Sequence, residues 1–301
     1  MKTILRYAGG KSRAYKHITP YLENESRIVS PFIGGGSLEV RWTTELGIDI
    51  QGFDIFRPLV NFWDVLIDRT DELFEAMASI QPDKDVYADI KERLLCWEVT
   101  QDMFKGYKTD YYVREPTILD DVTAAAYYYY NHNLSYGPMF LGWVSKIYLQ
   151  EKKYIKMLDR LKAFSAPKLQ VGFGSFEDVI VSHPNETLYL DPPYYLQKDG
   201  DNKMFKGIYP NANFDVHHTG FDHELLRDSL HNHKGGFVLS YNNCETVREY
   251  YKDFEQVFPS WAYSYGSGET RIGKNKVDNK PKESHEILIV KKNENSITSF
   301  F

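Results

Sequence analysis

The sequence predicts an α/β chain: a doubly wound, Rossmann-like sheet interrupted by an inserted, mainly helical domain. Three observations carry this. Two strand patterns near the N-terminus each run into a helical pattern, four more strand patterns follow residue 168, and the stretch between shows helical spacing without alternation.

Residues 27–30 form the first strand and end in Pro31-Phe32-Ile33-Gly34-Gly35-Gly36, after which Ser37-Leu38-Glu39-Val40 begins a helical pattern. Residues 50–53 form the second and end at Asp54. Leu59, Phe62, Trp63 and Leu66 follow at the spacing of an amphipathic helix. This is the opening βαβ of a doubly wound sheet, which binds ligands beyond the carboxyl ends of its strands. Residues 68–167 are rich in tyrosine and charge and read as the inserted helical domain. The sheet resumes at residues 169–173, 187–190, 236–240 and 286–290, so residues 1–67 and 168–301 are two parts of one domain. The polar tail after Lys291 is expected to be loosely ordered.

A chain of 301 residues can bury a substantial core. Its two cysteines, Cys96 and Cys244, lie far apart without CxxC spacing, which argues against a disulfide scaffold and a structural zinc site. The opening Met1-Lys2-Thr3-Ile4-Leu5-Arg6 lacks the apolar region of a secretory signal, and no run of about 18 apolar residues occurs. A cytoplasmic protein without a membrane partner is expected. The net charge is −6, but Lys and Arg cluster in residues 146–168 and 271–282. Alone, each basic run reads as a solvated face; binding of a polyanion depends on such clusters and not on the total.

The sharpest motif is Asp191-Pro192-Pro193-Tyr194, at the end of an apolar strand. Two prolines fix the backbone there, so the Asp191 carboxylate and the Pro192 carbonyl can face one point and accept from an amino group carrying two hydrogens. The Tyr194 ring can stack on a planar base. An exocyclic amine on adenine is a poor nucleophile because its lone pair is delocalised into the ring. Two hydrogen bonds from its N–H groups favour a pyramidal nitrogen and free that lone pair. The bland alternative is a rigid surface loop.

The glycines of residues 34–36 permit close approach of a ligand to backbone at the head of a helix. Asp54 stands at a strand end, where it can accept from ribose hydroxyls or cap the next helix. Arg6-Tyr7-Ala8-Gly9-Gly10-Lys11-Ser12 superficially suggests a phosphate-binding loop. It fails the spacing, because the first glycine of GxxxxGK[ST] would fall at Leu5.

The set Tyr7-Ala8-Gly9-Gly10-Lys11, Pro31-Phe32-Ile33-Gly34-Gly35-Gly36, Asp191-Pro192-Pro193-Tyr194 and Ser240-Tyr241-Asn242, in that order over nearly the whole chain, resembles the Dam-type (D12 class) N6-adenine DNA methyltransferases. The resemblance implies a sheet of the S-adenosylmethionine-dependent methyltransferase type, S-adenosyl-L-methionine as cofactor, double-stranded DNA as partner, no metal, and a cytoplasmic or nucleoid location. It makes 68–167 a target-recognition insertion and 1–67 and 168–301 the catalytic domain. It places Tyr7, Ala8, Gly9, Gly10, Lys11, Pro31, Phe32, Gly34 and Gly36 around the cofactor, with Asp54 and Ile55 at its ribose. Ser175 and Phe176 stand where the family has an Asp-Phe pair against the cofactor adenine, with Ser175 in place of the Asp. Asp191, Pro192, Pro193 and Tyr194 become the catalytic motif, acting on a flipped-out adenine, and Asp191 also borders the cofactor.

Asn131-His132-Asn133-Leu134-Ser135-Tyr136-Gly137 is similar to the family's Asn-Arg-x-Ser-Phe-x-Gly segment near DNA, with His132 where Arg is usual. Asn131, Ser135 and Tyr136 are therefore expected DNA contacts. So are Lys274 and Lys276, in a basic stretch before the closing Ser284-His285-Glu286-Ile287-Leu288-Ile289 element, also similar to the family's. The run Tyr127-Tyr128-Tyr129-Tyr130 is expected to be helix core.

Cytosine N4, RNA adenine and protein glutamine are alternative amino substrates, and a catalytically silent DNA-binding protein is a further alternative. Cytosine C5 chemistry, which needs a thiolate to add to the ring, is disfavoured, since neither Cys96 (after Leu95) nor Cys244 (after Asn243) sits in the Pro-Cys context of such enzymes. His217, His218, His223, His231 and His233 lack metal-ligand spacing with acidic partners.

Overall fold

Parallel pairing dominates the sheet of this computed structural model, which describes residues 4–7, 9–104, 113–137, 139–195, 221–259 and 286–293. Its strands are β1 (Arg27–Ser30), β2 (Asp49–Asp54), β3 (Leu169–Phe173), β4 (Thr187–Leu190), β5 (Phe237–Asn242), β6 (Glu255–Val257) and β7 (Glu286–Lys291). Their order is β3-β2-β1-β4-β5-β7-β6. β1 to β5 pair in parallel, and β7 inserts antiparallel between β5 and β6. The sequence signals located every strand except β6, whose three residues are too few to show alternation.

Helices α1 (Tyr15–Ile18), α2 (Glu39–Arg41), α3 (Arg57–Asp68), α4 (Thr70–Ser79), α5 (Lys84–Cys96), α6 (Glu98–Phe104), α7 (Asp121–Leu134), α8 (Glu151–Lys162), α9 (Phe176–Ser182), α10 (His223–Asn232) and α11 (Glu245–Tyr250) surround the sheet. β4 and β5 are buried at every residue, as strands covered on both faces must be. Burial of each large apolar side chain contributes about 1.5–3 kcal/mol.

The helices of the region after α3 do not stand apart from the sheet. α7 lies against α3, where the Phe62 and Tyr129 rings stack with centroids 5.4 Å apart, and α3 lies against β3. One continuous apolar cluster runs from Trp42 and Tyr189 at the sheet through Trp63 to Tyr129 and Tyr154. α7 starts where the Asp120 carboxylate accepts from the Thr123 N–H. Tyr128, Tyr129 and Tyr130 are buried in it, as core tyrosines.

Candidate active site

β1 is flanked by β2 on one side and by β4 on the other, so the winding direction of the sheet reverses between β1 and β4. Such a reversal opens a crevice beyond the strand ends. The chain leaves β1 through residues 31–36 and leaves β4 through Asp191, Pro192, Pro193 and Tyr194. The glycine turn and the acidic Pro-Pro motif therefore share one crevice.

An ion network sits on the β4 side. The Lys11 ammonium is 2.7 Å from Asp191 Oδ1 and donates to the Tyr194 hydroxyl at 2.8 Å. That hydroxyl in turn donates to Glu286 Oε1, which lies 3.7 Å from Lys11 Nζ. The Ser240 hydroxyl donates to the second oxygen of Glu286 at 2.8 Å. Lys11 is itself located by its backbone N–H, which donates to Ser37 Oγ at 3.0 Å, just past the glycine turn. Burial raises the pKa of Asp191, and the Lys11 charge opposes that rise; the same two effects act on Glu286. The Asp191 side chain keeps 24 % exposure, against 3 % for Lys11 and 1 % for Glu286, so the network opens toward the crevice at Asp191. Tyr194 is buried, its ring stacked on Tyr241, and Pro192 is buried beside it. Asn242 clamps the next residue, accepting from the Tyr195 N–H at 2.8 Å and donating to its carbonyl at 2.9 Å.

The glycine turn is held on the β2 side. The Ile33 N–H donates to the Phe53 carbonyl at 2.9 Å, and the Trp63 indole donates to the Gly34 carbonyl at 3.0 Å. Asp54 accepts from the Gly34 N–H at 3.1 Å and from the Phe56 N–H at 2.9 Å, so it links the two strand ends. Burial pushes its carboxyl up to about 6, against the pull of those N–H groups. Ile55 beside it is exposed. A Cβ on Gly35 would come within 2.5 Å of Tyr7 Cβ, so only glycine lets the N-terminal segment lie this close. Gly36 has φ +57° and packs its Cα face on Trp63. Phe32, Phe176 and Phe221 form an aromatic cluster next to the turn. Ser175 is the N-cap of α9: its Oγ accepts from the Asp178 N–H at 3.3 Å and donates to the Asp178 carboxylate at 3.0 Å. Gly9 and Gly10 lead into Lys11, while Ala8 lies outside the described residues.

The segment after α7 carries polar side chains both inside and on its surface. Asn131 is fully buried, and its Oδ1 accepts from the Leu141 N–H at 2.7 Å. Ser135 is also buried, with Oγ 2.8 Å from the His132 carbonyl and accepting from the Met139 N–H at 3.0 Å. Both side chains shape the turn from within. Tyr136 and Trp143 are exposed on it. His132 is buried between the rings of Tyr7 and Tyr128, and its Nε2–H donates to the Arg6 carbonyl at 2.9 Å. Burial pulls its pKa down to about 4, so it is a neutral internal residue. Arg6 reaches the Asn133 carbonyl at 2.7 Å and lies over the Tyr148 ring. Lys274 and Lys276 lie outside the described residues, as do His217 and His218. His223, His231 and His233 bond separately to Tyr241, the Tyr250 carbonyl and the Glu186 carbonyl. Among the described residues no group of three or more His, Cys, Asp or Glu side chains is arranged to hold a metal ion.

Glu39, Trp63 and Glu286 are among the site residues to which the sequence alone assigns no role. Glu39 follows the glycine turn and is buried, accepting from the Ser30 hydroxyl at 2.9 Å. Burial pushes its carboxyl up to about 7. The readable signal for Glu286 was a carboxylate at the head of the apolar strand 286–290, where an unpaired charge would be costly.

A model of the family described as D12 class N6 adenine-specific DNA methyltransferase matches residues 7–265. No curated protein sequence matches the chain.

Proposed function

Since the chain belongs to the D12 class N6 adenine-specific DNA methyltransferases and its reaction is methylation of adenine N6 in DNA, we propose that Asp191 and the Pro192 carbonyl receive the two N6–H groups of an adenine flipped out of duplex DNA. These two acceptors pull the amino nitrogen toward a pyramidal geometry and aim its lone pair along the crevice toward the glycine turn. Pro193 keeps the Pro192 carbonyl rigid, and the Tyr194 ring is the stacking face for the base. That ring lies against Tyr241 in the structure, so stacking requires the Tyr194–Tyr195 segment to shift from its clamp on Asn242.

The residues fit S-adenosylmethionine. An acidic group stands on each side of the glycine turn, Asp191 for a sulfonium and Asp54 for ribose hydroxyls, and the Tyr7 side chain lies directly on the Gly34 and Gly35 backbone. When bound, the cofactor supplies the methyl group. Asp54 uses one lone pair of each oxygen on Gly34 and Phe56 and keeps the others for hydroxyls, with Ile55 alongside. Phe32 and Phe176 offer a wall for a purine, and Tyr7, Ala8, Gly9, Gly10, Lys11, Pro31, Gly34 and Gly36 enclose the rest. Ser175 positions Phe176 through its helix cap.

Recognition of duplex DNA falls to the helices of residues 68–167. Tyr136 is exposed on the segment after α7, as is Trp143, and Asn131 and Ser135 act by holding its shape. α8 turns Lys152, Lys153, Lys156 and Lys162 outward and buries Tyr154, Met157 and Leu161. Lys274 and Lys276 add phosphate contacts. No helix among the described residues is long and apolar enough to cross a membrane. Work on DNA places the chain in the cytoplasm or at the nucleoid.

The observation that carries this reading is the contact between Lys11 and Asp191, 180 positions apart in sequence and 2.7 Å apart in space. The test is transfer from labelled S-adenosylmethionine to unmethylated duplex DNA, with nucleoside analysis of the product. N6-methyladenine is expected from the wild type. Asp191→Ala is expected to lose at least about a thousandfold in rate while keeping its fold. Label confined to RNA or protein, or an active Asp191→Ala variant, overturns the assignment.

A further inference from the structure

We propose that Glu286 is a positioning residue that takes the Lys11 ammonium from Asp191 when the target amino group arrives. This rests on the reading of Asp191 as acceptor of the N6–H groups. As folded, Lys11 holds Asp191 Oδ1 at 2.7 Å, so an N6–H group must share the carboxylate with an ammonium that weakens it as an acceptor. A lysine that left Asp191 with no other partner would be a buried unpaired charge, which is strongly unfavourable. Glu286 removes that cost. Its Oε1 stands 3.7 Å from the same ammonium; before the base arrives the Tyr194 hydroxyl bridges the two, accepting from Lys11 and donating to Glu286, and the shift that lets Tyr194 stack withdraws that bridge and leaves Oε1 to Lys11. A shift of about an ångström in Lys11 Nζ converts the longer contact into a charge-assisted hydrogen bond.

Glu286 is fixed for this part. It begins β7, and its backbone pairs with Asn242 at the end of β5. Its Oε2 accepts from Ser240 at 2.8 Å, which keeps Oε1 pointed at Lys11 and Tyr194. Asn242, its partner in register, also clamps the Asp-Pro-Pro-Tyr segment through Tyr195. Among the described residues, the charged and titratable groups facing Glu286 are Lys11, Asp191 and Tyr194, with Tyr189 close enough to feel its charge. Two carboxylates thus share one ammonium, and the pocket carries the same charge before and after the handover.

The experiment is single-turnover methyl transfer to duplex DNA by full-length wild type, Glu286→Gln and Ser240→Ala across pH, with cofactor affinity measured alongside. Glu286→Gln keeps the shape but leaves Lys11 on Asp191. The transfer rate is expected to fall about tenfold or more, for the loss of one charge-assisted contact, with cofactor affinity within about threefold. The acidic limb of the rate profile is expected to move to lower pH, because removing the Glu286 charge makes Asp191 easier to ionise. Ser240→Ala frees Oε2 and is expected to slow transfer two- to threefold, at the modest value of one hydrogen bond. It decides the matter if Glu286→Gln does not fold. Wild-type rates in both variants, or a slower Glu286→Gln with an unmoved acidic limb, overturn the proposal alone. A wild type that puts no N6-methyladenine into DNA overturns the functional reading beneath it as well.

Discussion

The ring of Tyr7 stacks on that of His132, with centroids 5.5 Å apart and planes 16° from parallel. This contact ties the N-terminal glycine segment, which borders the crevice, to α7. His132 is 3 % exposed and is held neutral by burial, with its pKa down to about 4. An arginine at this position would be charged inside the core beside Arg6, and among the described residues no carboxylate acts on His132. His132→Arg is therefore expected to lose about 3–5 kcal/mol of stability and to gain nothing in DNA affinity. Thermal unfolding and DNA binding against salt check both parts; a stable variant with tighter, more salt-sensitive binding would show that the side chain reaches DNA.

Gly35 and Tyr7 form the second link. Gly35→Ala places a methyl carbon 2.5 Å from Tyr7 Cβ, and backbone on both sides prevents a simple side-chain escape. The N-terminal segment must then move off the glycine turn, carrying Lys11 with it. Cofactor affinity is expected to weaken about tenfold or more, with a stability loss of about 1–3 kcal/mol typical of overpacking. Calorimetric titration with S-adenosylmethionine checks this, and unchanged affinity would show that the close approach is incidental.

How far the sequence revealed this site depends on the kind of signal. Asp191-Pro192-Pro193-Tyr194 and residues 31–36 were legible because each is a local pattern at a strand end, and topology alone brings both to the crevice. The antiparallel insertion of β7 was not legible, since an apolar strand of residues 286–290 reads the same in either direction. Nor was the interior position of Asn131 and Ser135: their expected role rests on likeness to a family segment, which carries no sign of burial, whereas here they satisfy the backbone of Leu141 and Met139. His132 was read as a substitute for arginine, and only the packing of Tyr7 and Tyr128 on its two faces shows that it is internal. Glu286 needed three segments of the chain, around Lys11, Tyr194 and Ser240, to be seen together.

Glu39 provides a pH test. Its carboxyl titrates near 4.5 in an unfolded chain, and burial pushes it up to about 7 in the folded one, with Asp191 adding to the rise. Between those values the folded state holds a proton that the unfolded state has released, so this group's contribution to stability is full below about 4.5 and is lost as pH rises through 7. Glu39→Gln mimics the protonated form and does not titrate. Its stability relative to wild type is expected to rise by about 3 kcal/mol between pH 5 and pH 8. Denaturant unfolding at the two pH values measures that difference, and a constant difference would mean that Glu39 does not retain its proton.

Asp54 makes a complementary prediction for binding. Both of its oxygens are engaged by backbone N–H groups, from Gly34 and Phe56, yet burial still raises its carboxyl to about 6. Ribose hydroxyls donate best to the ionised form, so affinity for S-adenosylmethionine is expected to weaken as pH falls through 6. Asp54→Asn presents an amide N–H where an acceptor is needed, both to the turn and to the ribose. It is expected to cost about 1.5–3 kcal/mol of binding, or roughly 10- to 150-fold, and to flatten the pH dependence of cofactor affinity around 6. If titration calorimetry finds the weakening with acid intact in Asp54→Asn, another group near the crevice is responsible and the ribose assignment fails.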